Sequence, residues 1–212
     1  MSSIKLIPTS GGGSVSLVPP NSTSGSDVTI TLPTVSQTLP VGPVLEQFFY
    51  PCNGETVTTL AGDIVLPNVT GEQLGTSTHV DLTGSTISYT PPAGTKTVIY
   101  KFQFVMEKHG DSEQIGHFKA YIDSDEITKA NFNARGEDIG LLNTFEWPIR
   151  IGGTADTTTG RVASWTSAKT LKLTMREYSS SFEVKAHTLE HSEGSGTDSF
   201  AMPRIGITAL NT

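Results

Sequence analysis

The stretch KTVIYKFQFVME, residues 96–107, restricts the fold of this chain more than any other feature. Large apolar side chains occupy every second position from Val98 to Met106, and the residues between them are more polar. A period of two over twelve residues indicates a long β-strand with one buried face. The segment 169–178 repeats the pattern, with Leu171, Leu173 and Met175 on one side.

Composition extends this prediction to the rest of the chain. Only 17% of the 212 residues are charged and 35% are hydrophobic, while Ser, Thr and Gly are abundant, which suits short strands joined by turns. We predict one helical turn, near residues 125–131, and Pro148 indicates an edge strand or a bulge. The fold class is therefore all-β, with an antiparallel β-sandwich of jelly-roll type. The predicted strands are 45–50, 56–60, 64–66, 86–90, 96–107, 118–122, 145–151, 170–178, 182–187 and 200–210.

The chain divides into two parts of different composition. Residues 1–43 contain only two charged residues, Lys5 and Asp27, and the first aromatic residue is Phe48. The stretch LPVGPV, residues 39–44, has two prolines around a glycine and is typical of a boundary. We therefore predict an N-terminal segment, 1–43, and a C-terminal sandwich, 44–212.

The N-terminal segment contains three similar units, IKLIP, VSLVP and VTITLP, each a short alternation that ends in proline. Three such strands bury too little apolar area to offset their conformational entropy alone. The segment is therefore either a flexible linker or a set of strands that pack against other chains, and the alternation favours the second. The candidate inter-chain residues are Ile4, Leu6, Val15, Leu17, Val28, Ile30 and Leu32.

Charge and composition exclude several functions. The net charge is −7 and no cluster of basic residues occurs along the chain, which argues against nucleic-acid binding. No apolar run is long enough to cross a membrane, and the N-terminus lacks the pattern of a signal peptide. The single cysteine, Cys52, is expected to be a small buried hydrophobic residue.

We expect no catalytic residues, no metal site and no cofactor. His187 and His191 have a ligand-like spacing, but polar residues on a solvent-exposed loop are the simpler interpretation. Asp123, Asp125 and Glu126 do not continue as a calcium loop and indicate a turn.

Residues 152–160 are rich in Gly and Thr and predict a long surface loop, where binding residues often lie. Trp165 follows this loop and, if exposed, is suited to stack on a sugar ring, whereas Trp147 alternates with Phe145 and Ile149 as a core residue does. The alternative for Trp165 is that it caps the core. The candidate receptor-facing residues are Asp156, Thr158, Arg161 and Trp165.

Five stretches of the sequence together form a pattern. They are the opening SIKLIPTSGGGSVSLVPPNST, the following DVTITLP, and the later HFKAYIDSDEIT, TFEWPIRIGGTADTTTGRVASWTSAKTLKLTMREY and FAMPRIGITAL. It resembles virion proteins of tailed phages, especially marine phages and cyanophages, that are described as tail fibre or structural proteins. The resemblance implies a homotrimer, an N-terminal segment docked on other tail, neck or capsid proteins, and a sandwich like those of the tumour-necrosis-factor and C1q families. It supplies no catalytic motif.

The resulting hypothesis is a short trimeric tail fibre or appendage, made in the host cytoplasm and located on the virion, that displays a receptor-binding domain. Host surface polysaccharide is the candidate receptor. A capsid-decorating protein or head fibre is the first alternative, because the chain has no long shaft between its two parts. A glycan depolymerase is the second.

Overall fold

The computed structural model describes residues 4–6, 15–17, 42–108, 114–136, 140–189 and 199–212. The predicted third N-terminal strand, with Val28, Ile30 and Leu32, lies outside the described residues, as does His191. The strands are β1 Ile4–Leu6, β2 Val15–Leu17, β3 Val44–Pro51, β4 Thr56–Thr59, β5 Gly62–Val65, β6 Gln73–Leu74, β7 Val80–Asp81, β8 Ile87–Tyr89, β9 Thr97–Lys108, β10 Gln114–Ile122, β11 Asp125–Glu126, β12 Phe132–Gly136, β13 Leu141–Arg150, β14 Lys169–Glu177, β15 Val184–Ala186, β16 Thr188–Leu189, β17 Ser199–Phe200 and β18 Arg204–Leu210.

The chain forms two compact units, residues Met1–Leu39 and Pro40–Thr212. In the first unit, β1 and β2 pair antiparallel, with Ile4 opposite Leu17 and Leu6 opposite Val15. Both strands were predicted, and each has three residues.

The second unit is a β-sandwich of two six-stranded sheets, with a β4–β5 hairpin and a β16–β17 pair. In the first sheet the order is β3-β18-β9-β15-β6, and β13 pairs with β9 along its length. In the second sheet the order is β11-β10-β14-β7, with β12 paired to β10 and β8 to β14. All of these pairings are antiparallel, so the all-β fold and the antiparallel sandwich are confirmed, with the curled sheets of a jelly roll.

The core lies between the two sheets and follows from the alternation along β9. The apolar residues at every second position from Val98 to Met106 are buried, and the Phe104 ring meets the Phe118 ring of β10 across the core at 5.3 Å between centroids. Leu171, Leu173 and Met175 of β14 are fully buried, as their alternation predicts. Burial of these apolar side chains is the main favourable contribution to folding.

Pro148 lies in β13, which pairs with β9 and with no second strand among the described residues. This confirms the predicted edge position, where the missing N–H of proline interrupts no ladder. The predicted helical turn is a 3₁₀ turn at Thr128–Ala130, and Asp123–Ser124 form the predicted turn between β10 and β11. Among the described residues, no helix is long and apolar enough to cross a membrane.

Substitution of Phe104 by Ala tests the role of the inter-sheet aromatic contact. Phe104 is 1% exposed, and its ring also stacks on Phe102 at 5.6 Å. Loss of this ring leaves a cavity, so Phe104→Ala should lower the free energy of unfolding by about 3–5 kcal/mol, measured by urea denaturation. The matched control is Phe200→Ala, since Phe200 is 41% exposed and should change stability by about 0.5 kcal/mol or less. Equal effects of the two variants would contradict the packing described.

Candidate functional site

The N-terminal residues proposed for inter-chain contact fall into two groups. Ile4 and Leu6 lie in β1, and Val15 and Leu17 lie in β2, where the register places them opposite one another as two pairs. The predicted third strand is not among the described residues, so its contribution stays a prediction.

The predicted Gly- and Thr-rich loop is folded around the carboxylate of Asp156. Its Oδ1 accepts hydrogen bonds from the Thr158 backbone N–H at 3.0 Å and the Thr158 hydroxyl at 2.7 Å, and its Oδ2 accepts from the Thr159 hydroxyl at 2.9 Å. These donors hold the pKa of Asp156 below its ordinary value. Asp156 therefore organises the loop through local contacts and stays ionised at neutral pH.

Two side chains tie this loop to the sandwich. The Arg161 guanidinium donates to the Gly152 carbonyl at 3.1 Å, which closes the base of the loop. The Trp147 indole N–H donates to the Thr159 carbonyl at 3.0 Å from the edge strand β13. Of the residues predicted to face a receptor, Asp156 and Arg161 therefore make hydrogen bonds within the loop. Thr158 is half-buried.

The structure corrects the interpretation of both tryptophans. Trp165 is only 5% exposed, its ring lies edge-on to Tyr89 at 6.3 Å, and its indole N–H donates to the Tyr89 carbonyl at 3.0 Å. A side chain buried in this way cannot stack on a sugar, so Trp165 is a core residue and not a receptor-facing one. Trp147, expected in the core, is half-buried beside the loop.

His187 is fully buried, not on a solvent-exposed loop as its polar neighbours suggested. Its Nε2 lies 2.9 Å from the Thr83 carbonyl oxygen, which fixes the proton on that nitrogen, and its Nδ1 has no hydrogen-bond partner among the described residues. Burial lowers its pKa from 6.5 to about 4, so the ring is neutral near pH 7. Cys52 is likewise buried, as predicted, and burial raises its pKa to about 12.

In the part of the chain that the structure describes, no three His, Cys, Asp or Glu residues lie close enough together to hold a metal ion. The described cysteine, with its raised pKa, is not a reactive thiolate.

A cleft of about 470 Å³ on the outer face of the second sheet is the site that the sequence did not indicate. Alternation along β10 places Phe118, Ala120 and Ile122 in the core, so His117 and Lys119 lie on the opposite face. The strand register sets His117 opposite Arg176 of β14 and Asn133 of β12. We call this the basic cleft, and its polar lining residues are His79, His117, Lys119, Asn131, Asn133 and Arg176.

One carboxylate orients two residues of the basic cleft. Glu126 accepts hydrogen bonds from the Lys119 ammonium at 2.8 Å and from the Asn131 amide at 2.7 Å. These bonds lower the pKa of Glu126, and the bond between Lys119 and Glu126 raises the pKa of Lys119. Lys119 and Asn131 are therefore held in place, and both groups of the ion pair are charged at neutral pH.

Two positively charged side chains, Lys119 and Arg176, line the basic cleft. Burial lowers the pKa of His79, and the nearby charges of Lys119 and Arg176 lower it further. The Nδ1 of His79 lies 3.0 Å from the Thr174 hydroxyl, which anchors the ring. Within the described residues, no carboxylate lies within salt-bridge distance of the Arg176 guanidinium.

An aromatic pair stands beside the cleft. The His117 ring stacks on Tyr178 at 5.7 Å between centroids, and Tyr178 is 53% exposed. The cleft thus combines cations, amides and a partly exposed aromatic ring on one rigid sheet. Its residues are distant in sequence, so only the alternation of β10 and β14 could have suggested that some of them share a face.

Comparisons with known proteins find distant likenesses in structure alone. No family model matches the chain, and no curated protein matches it. The chain is similar in structure to infectious bursal disease virus of the Gt strain, with a TM-score of 0.35, 9% identity, and coverage of 97% of this chain and 50% of that one. The crystal structure of the VP2 subviral particle of the same virus has a TM-score of 0.34 and 10% identity, and the match covers 96% of this chain and 49% of that one. The chain spans about half the length of these structures, and likenesses this distant carry no argument about function.

The buried His187 predicts how stability depends on pH. Because its pKa is about 4 when folded and 6.5 unfolded, the unfolded chain binds the extra proton between these values. The contribution of the neutral ring to the free energy of unfolding is complete above pH 6.5. It falls by an amount on the order of 3 kcal/mol as the pH drops from 6.5 through about 4.

Urea denaturation between pH 7 and pH 4 measures this loss. His187→Asn should flatten the pH dependence, since Asn accepts the positive φ of 69° at this position and does not titrate. His79→Asn is the control, because His79 lies at the surface cleft and should leave most of the slope. Retention of the full slope in His187→Asn would assign the pH dependence to other groups.

Proposed function

We propose that this chain is a non-enzymatic viral structural protein, a short phage appendage that attaches through residues 1–43 and displays the sandwich. The observation that carries the proposal is the pairing of β1 with β2. A two-stranded sheet with three residues per strand is marginal in water and becomes stable when other strands or chains complete it.

The sequence resemblance to tailed-phage virion proteins supports this proposal. The low charge of residues 1–43 supports it too, because segments that stay solvated as random coils usually carry more charge. The proposed assembly is a homotrimer in which apolar residues of β1 and β2 are shared between chains. Burial of apolar area, worth about 25 cal/mol per Å², supplies what one chain lacks.

The sandwich, in this proposal, is the displayed domain that contacts the host. It has its own core, so it folds independently of its attachment and offers rigid surfaces to a partner. A trimer would present each surface three times, and the combined avidity would let weak single contacts hold a cell.

The alternatives are a capsid-decorating protein and a glycan depolymerase. Labelling of the protein in intact particles separates the first from the appendage, since a decorating protein is found on the head. Turnover of host polysaccharide by the purified chain would support the second.

Deletion of residues 1–41 tests attachment. The remaining chain retains Pro43, whose carbonyl accepts the Asn211 N–H at 2.9 Å, and should keep its thermal unfolding transition. Because the proposed inter-chain strands are gone, we expect loss of incorporation into particles, measured by quantitative immunoblot of purified virions. Normal incorporation of this truncation would refute attachment through the N-terminal segment.

Paired substitutions sharpen the same test within the full chain. Leu6→Asn with Leu17→Asn places polar groups at two apolar positions and should greatly reduce incorporation. The control is Lys5→Asn with Ser16→Asn. These two polar residues form the middle pair of the β1–β2 register, and the variant should incorporate normally.

A further inference from the structure

The basic cleft on the outer face of the second sheet has the chemistry of a ligand site and not of an ordinary exposed sheet surface. Lys172, on the same face, is neutralised by Asp81 at 2.7 Å, and Lys119 by Glu126 at 2.8 Å. Arg176 lies on the same face, opposite His117, and has no salt bridge among the described residues. An uncompensated guanidinium in a concave surface favours an anion from outside the chain.

The geometry of the donors limits what that anion can be. Arginine offers a planar fork that matches a carboxylate with two parallel hydrogen bonds. Asn131 and Asn133 line the same cleft with amides, which donate and accept and therefore suit hydroxyl groups. These groups together suit a ligand with one carboxylate and several hydroxyls.

The aromatic pair adds an apolar contact beside these polar groups. Tyr178 stacks on His117, and this pair leaves more than half of the Tyr178 side chain exposed. A ring of this kind covers the apolar C–H face of a sugar, while the polar groups bond its edge. Combined with the carboxylate, this indicates a sugar acid.

The cleft also disfavours nucleic acid. Glu126 and Asp81 lie on the same face, and the chain carries a net charge of −7, so closely spaced phosphates would meet repulsion along most of their length. A sugar acid avoids this in part, because its hydroxyls donate hydrogen bonds to the same acidic side chains while its carboxylate meets Arg176.

We propose that the basic cleft binds a uronic acid unit of an acidic polysaccharide. Arg176 receives the carboxylate, Asn131 and Asn133 bond the hydroxyls, and the His117–Tyr178 pair covers the sugar face. Glu126, which is paired with Lys119, accepts a hydrogen bond from the Asn131 amide and so positions Asn131. This proposal deepens the proposed function, on which it rests only for the host as the source of the sugar.

The test is binding of oligogalacturonate to the purified full chain, measured by isothermal titration calorimetry. Arg176→Ala should weaken binding roughly ten- to hundredfold, because a hydrogen-bonded charge is lost. Arg176→Lys keeps the charge but loses the fork and should weaken binding by a smaller factor. The matched control is Arg150→Ala, an exposed arginine of β13 in the first sheet, which should bind as the unaltered chain does.

Three results would overturn the proposal. They are equal binding of methyl-esterified oligogalacturonate, equal weakening by Arg150→Ala, and displacement of the uronate by single-stranded DNA at similar concentration. Circular dichroism melting of each variant confirms that the fold is intact. Binding is measured on the isolated chain and attachment on particles, so a failure of one leaves the other standing.

Discussion

Contact between the even-numbered side chains of β9 and the second sheet is the interaction on which the rest of this molecule depends. Phe102, Phe104 and Met106 are fully buried, and Phe104 joins the two sheets through Phe118. Because neighbouring side chains of a strand point to opposite faces, this packing also decides which residues face outward. Burial of Phe118 in the core thereby places His117 and Lys119 together in the basic cleft.

Much of the sandwich could be predicted from sequence because its long strands carry a clear period. β9 and β14 alternate over nine residues or more, and their buried faces agree with the pattern. Short strands such as β6 and β7 have two residues each and no period, so only their partners in the sheet define them. β12 was missed because its sequence, FNARG, has little apolar content.

The candidate site was harder to predict because it depends on register. The position of Trp165 next to a glycine-rich loop suggested an exposed side chain, which is wrong. Its indole N–H has a backbone acceptor, the Tyr89 carbonyl, and this bond makes burial favourable. His79, Asn133 and Arg176 come from separate parts of the chain, and only strand pairing places them around one cleft. Local sequence could reveal the loop around Asp156, since its hydrogen bonds span two or three residues.

The edge position of Pro148 has a consequence for chains that are crowded together. An unprotected edge strand offers a row of N–H and C=O groups to any neighbouring strand, and newly made chains at high concentration can join through such rows. β13 is ten residues long, and Pro148, its eighth residue, removes a donor from its edge. Copies of the sandwich are thereby discouraged from merging into a continuous sheet, which leaves association to side-chain surfaces with defined partners.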